Sequence, residues 1–109
     1  GHVASQVADY LMANPQISRI SILGDLQTPN AQDNTMHSVH GFAHTVAGDS
    51  NGANDEDDKL RAFCLTAVLQ VAFLRKDTLM NALGIDFYKK QQRDAFLALV
   101  VEWLLSERR

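Results

Sequence analysis

The chain has 109 residues, of which 46% are hydrophobic and 21% charged, with two prolines and one cysteine. That length and balance describe one folded domain with a core of its own, and exclude a disordered tail or a miniprotein held by disulfides. The formal net charge is −3, but Asp49, Asp55, Glu56, Asp57 and Asp58 are five of the thirteen acids; the rest of the chain holds ten bases against eight acids, too small an excess for a general nucleic-acid-binding surface.

The first fourteen residues have neither the basic start nor the uninterrupted apolar core of a signal peptide, and Gly1-His2 reads as a tag remnant or processed start, compatible with a domain taken from a longer chain. Val3, Val7, Tyr10 and Leu11 recur at helical spacing and predict a first helix over residues 3–13, stopped by Asn14-Pro15. Asn14 then caps a second helix with Pro15 in its first turn, in which Ile17, Ile20 and Leu23 share a face and Gly24 is the terminator. The β-branched run ISRISIL leaves a strand as the alternative there. Tyr10-Leu11 followed by Asn14-Pro15-Gln16-Ile17-Ser18 resembles the opening of winged-helix domains, although Ile22 and Gly24 break the continuation.

Residues 27–34 (QTPNAQDN) read as a loop. A third helix follows, capped by Asn34 or Thr35, with Met36, Val39, Phe42, Ala43 and Val46 on its apolar face, a mild weakness at Gly41 and an end near Ala47 or Gly48. Its His37, His40 and His44 lie at i, i+3 and i+7, within about 60° of one another on a helix. Three neutral imidazoles on one arc suit zinc, copper, nickel or haem, with an acid from Asp49 onward as a further ligand. HGFAH resembles the HExxH helix of zinc metalloproteases, but the general-base glutamate is replaced by Gly41, so the resemblance implies at most a metal site and no proteolysis. The arc is centred roughly 140° from the apolar stripe, and the favoured reading is a solvated polar face with no bound cofactor.

Residues 49–55 (DSNGAND) read as an exposed, flexible polar loop; the glycine falls at the wrong place for an EF-hand. The acids after it open the central helix, where negative charge meets the positive end of the helix dipole, and Arg75 and Lys76 complement the other end. In between, Leu60, Phe63, Cys64, Ala67, Val71 and Leu74 form one apolar stripe and Leu65, Leu69, Ala72 and Phe73 a second on the opposite side. A helix apolar nearly all round demands cover on most sides, and Cys64 is expected as an inert core thiol, in keeping with a reducing, cytoplasmic setting.

Asp77 is expected to cap a short helix ending at Leu83, Gly84 to terminate it in the left-handed conformation, and Asp86 to cap the last helix. LMNALGI followed by Lys89, Lys90 and Arg93 has the outline of a helix-turn-helix, which makes those three residues candidates for nucleic-acid contact; the negative net charge disfavours it. From Phe96 to Leu105 only Glu102 is polar, a run about half the length needed to span a bilayer. Phe96, Leu97, Val100, Val101, Trp103 and Leu104 are therefore the candidate interface of a homodimer.

The fold expected is all-α, a single bundle of five or six helices centred on the helices at 58–75 and 86–107. The expected role is non-enzymatic: a regulatory, adaptor, inhibitor or chaperone-like module that acts by protein–protein contact and self-associates. A metal- or haem-binding sensor using the histidines and a nucleic-acid-binding regulator are the alternatives.

Overall fold

The computed structural model describes the backbone of residues 2–50 and 55–105 and the side chains of 3–44 and 56–105. These residues form six α-helices: α1 (His2–Ala13), α2 (Pro15–Gln27), α3 (Asn34–Ser50), α4 (Asp55–Leu74), α5 (Lys76–Leu83) and α6 (Lys90–Leu105). The fold is all-α as expected, and ISRISIL is helical.

Several helix ends differ from those read in the sequence. Gly24 does not stop α2, because the helix continues in ordinary right-handed geometry to Gln27. Its buried residues are Ser18 and Ile22, while Ile17 and Ile20 face solvent, so the buried face of α2 is rotated from the Ile17, Ile20 and Leu23 face that periodicity predicts. The cap of α3 is Asp33, one residue before the expected cap: its Oδ1 accepts from the Met36 amide at 2.9 Å, satisfying a first-turn N–H that has no helical acceptor. Asp25 Oδ2 accepts from the Thr35 amide and hydroxyl, so two carboxylates hold the start of α3. The helix then runs to Ser50, past the expected stop at Gly48. Of the loop expected at 49–55, residues 51–54 lie outside the described residues, residues 49–50 belong to α3 and Asp55 begins α4.

Asp77 lies inside α5 rather than capping it, because the helix starts at Lys76. Gly84 ends that helix with φ 72°, the left-handed conformation expected of it, and its amide bonds back to the last turn. Asp86 does not cap α6. Its Oδ1 closes a turn onto the Tyr88 amide at 3.0 Å, its own amide donates to Gln92 Oε1, and the helix begins four residues later. Residues 106–107 of the expected last helix lie outside the described residues.

The core joins Ala4, Ala8 and Leu11 of α1, Val39 and Phe42 of α3, Leu69 and Phe73 of α4, Phe87, and Leu97 of α6. Phe87 meets Phe96 edge to face, with ring centroids 6.5 Å apart. The molecule measures 38 × 31 × 20 Å, and since a helix with its side chains is about 10–12 Å across, its thin dimension holds two layers. That thickness decides the fate of α4. The helix meets α1, α3, α5 and α6, but two layers cannot surround it. Ala62, Leu65, Leu69, Ala72 and Phe73 are buried, whereas Leu60, Phe63 and Val71 on the opposite stripe remain 65%, 52% and 53% exposed. Cys64 is exposed with them, which corrects the expectation of a core thiol. Among the described residues no helix is long and apolar enough to cross a membrane.

Candidate functional site

The exposed stripe of α4 is the ridge of a larger apolar surface. On one flank a groove of about 610 Å³ runs between α4, α5 and α6, lined by residues including Val68, Val71, Leu79, Leu83 and Phe96. On the other flank a smaller hollow of about 390 Å³ lies between Phe63, Met36 and the loop containing Pro29 and Ala31. Leu83 is 68% exposed at the rim of the first groove. Trp103, seven residues beyond Phe96 and so on the same side of α6, is 64% exposed. Scattered apolar side chains are ordinary on a protein surface; a ridge with two apolar hollows beside it is a contiguous patch of the kind associated with contact sites.

The interface expected on α6 is largely spent inside the protein. Leu97 and Val100 are core residues, and Phe96, Val101 and Leu104 pack against that core, leaving Trp103 as the one member of the set that is mainly exposed. The run from Phe96 to Leu105 is buried on one side and partly covered on its flanks, with Leu99 and Trp103 left exposed. What the sequence reading missed is that the open surface centres on α4. The sequence carries no local signal for it, because an acid and a base flank both stripes of α4: Glu56 and Arg75 the exposed one, Asp58 and Lys76 the buried one.

Lys90 and Arg93 are engaged with α1. Arg93 Nη2 and Lys90 Nζ each lie 2.8 Å from a carboxylate oxygen of Asp9, Lys90 also reaches Asp94 at 3.1 Å, and Asp94 accepts from the Ser5 hydroxyl at 2.7 Å. Arg93 is buried, and its Nη1 donates to the Phe87 carbonyl at 3.0 Å, bracing the turn before α6. The hydrogen bonds from Lys90 and then Arg93 lower the Asp9 pKa, and the same bond with Asp9 raises that of Lys90. Asp94 is lowered mainly by its bond from Ser5. A buried guanidinium clamped between α1 and the 84–89 turn is not presented to a nucleic-acid groove; of the three basic candidates, Lys89 is the one exposed without such a tie. Tyr88 donates its hydroxyl to Asp77, and that bond to a carboxylate raises the phenol pKa.

His37, His40 and His44 project from the exposed side of α3, opposite the buried Val39, Phe42 and Ala43. Among the described residues, no group of three or more His, Cys, Asp or Glu side chains is placed to hold a metal ion. A cleft of about 630 Å³ also opens between α1, α2, α3 and α4. Several of its polar side chains bond one another: Gln70 donates to Thr35, Thr35 to Asp25, and Asn34 to Ser21. The Ser18 hydroxyl beside it has no hydrogen-bond partner but is closed off from solvent. Comparison of the chain with protein-family models, curated proteins and solved structures returned no match.

Proposed function

We propose that the chain is a non-enzymatic protein-contact module whose contact surface is the α4 ridge with the groove between α4, α5 and α6. The observation that carries this reading is the Leu60, Phe63 and Val71 row, more than half exposed on a helix whose opposite side is the most buried part of the fold. Leaving such a row in water forgoes roughly 25 cal/mol for each Å² of apolar area that a partner would cover. The apolar groove beside it supplies a concavity for an anchoring side chain, as the centres of protein interfaces do.

The test is a photo-crosslinking amino acid placed at Phe63, irradiated in the cells that make the protein, with Ile20 as the control position because it is equally apolar and 72% exposed on α2. Discrete crosslinked species from position 63 and none from position 20 are expected. No discrete product at 63, or the same products from both positions, would remove the basis of the reading.

A further inference from the structure

We infer that the partner taken by this surface is a second copy of the chain, bound with the two α4 helices antiparallel about a two-fold axis between Cys64 and Ala67. The inference rests on the reading of the α4 ridge as a contact surface. What points to a second copy is that the ridge is complementary to itself. Reading along it, Glu56, Leu60, Cys64, Ala67, Val71 and Arg75 fall on one helical arc, with an acid at one end and a base at the other. An antiparallel two-fold brings Glu56 opposite Arg75 of the partner subunit, Leu60 opposite the partner's Val71, and Cys64 opposite the partner's Ala67. A parallel pairing instead stacks Glu56 on the partner's Glu56 and Arg75 on the partner's Arg75. Among the described residues neither Glu56 nor Arg75 takes part in an ion pair.

The shape agrees with the charge. The smallest side chains of the row, Cys64 and Ala67, lie at the crossing point, where two helices approach most closely. Leu60 of the partner subunit then comes beside Val71, at the mouth of the groove that Leu79 and Leu83 also line. Each copy gives one leucine and receives one, as an isologous interface requires. The end charges stand about 28 Å apart along the helix, so the crossing belongs to the shallow class of about 20°, since the steeper class near 50° would carry them out of reach of each other.

The experiment is sedimentation equilibrium of the purified chain with three variants: Glu56→Arg, Arg75→Glu, and the two together. Each single reversal places like charges at both ends of the dimer and is expected to weaken association about tenfold, while the double reversal restores it to near wild type. Because position 56 lies in the first turn of α4, where a base also opposes the helix dipole, a second measurement avoids substitution altogether. Cys64 is the only cysteine, and across the proposed axis its two copies are offset by about 4.5 Å along helices 8–10 Å apart, so a short bismaleimide should join them in a single product. A dimer in which the double reversal fails to restore affinity, or in which Cys64 does not crosslink, overturns the antiparallel assembly and leaves the contact surface standing. A chain that stays monomeric while position 63 captures a different protein overturns the second copy as partner. A dimer indifferent to Phe63→Lys and Val71→Lys overturns the contact surface itself.

Discussion

Leu60 and Leu69 are the same residue type on the same helix, nine positions apart and on opposite sides of it, and their replacement by alanine separates the dry side of α4 from the wet one. Leu69 is 1% exposed, and removing its side chain leaves a cavity in the core cluster to which Phe73 and Phe42 also belong, at a cost of about 2–5 kcal/mol. Leu60 is 65% exposed, so only about a third of the roughly 1.5–3 kcal/mol gained by full burial of a leucine is at stake, or about 0.5–1 kcal/mol. For a chain of 109 residues each kcal/mol shifts the thermal midpoint by roughly 4 °C, which gives a fall of about 8–20 °C for Leu69→Ala and of at most about 4 °C for Leu60→Ala. Thermal unfolding followed by circular dichroism at low micromolar concentration measures both. Equal falls in the two variants would mean that α4 is enclosed on both sides, and the account of its exposed ridge would fail. At higher concentration wild type should gain a concentration-dependent rise in midpoint that Leu60→Ala reduces, because association stabilises only the folded state.

Three further outcomes follow from particular residues. Gly84 holds φ 72°, where a side chain costs about 1 kcal/mol or more, so Gly84→Ala should lower the midpoint; Gly24→Ala, in a right-handed helix with no atom within 4 Å of the added carbon, should raise it by a few degrees, and a fall at Gly24 would contradict the helix drawn through it. The Asp9 pKa is held below its ordinary value of 3.8, so its ion pairs with Lys90 and Arg93 stabilise the fold fully above that value and less as pH falls through the depressed one; the stability difference between wild type and Asp9→Asn should be level from neutral pH to about pH 4 and shrink below it, and a difference that widens in acid would reverse the sign of the argument. Changing His37, His40 and His44 together to glutamine should leave the thermal midpoint and the response to added zinc unchanged, since all three are exposed; zinc stabilisation seen in wild type and lost in the triple variant would restore the sensor reading.

The helical class, the number of elements, the Pro15 start of α2 and the Gly84 stop of α5 were legible in the amino-acid sequence, because each depends on periodicity or on a local backbone preference. Other helix ends were not, because the same side chain has rival local uses. Asp86 bonds an amide two residues on instead of capping α6, and Asp33 rather than Asn34 reaches the first turn of α3. The candidate site was legible only in part. Two apolar stripes on α4 were evident, but both are apolar along their length, and nothing local says which is buried. Packing decided it: the fold is two helices thick, so one stripe of α4 faces its neighbours and the other faces water. The same packing drew Leu97, Val100 and Arg93 of α6 into the interior, Arg93 through a carboxylate eighty-four residues away on α1. A partner so distant along the chain is set by tertiary structure alone, and that is why Leu97, Val100 and Arg93, which look like an interface or a nucleic-acid helix in the sequence, are buried in the bundle.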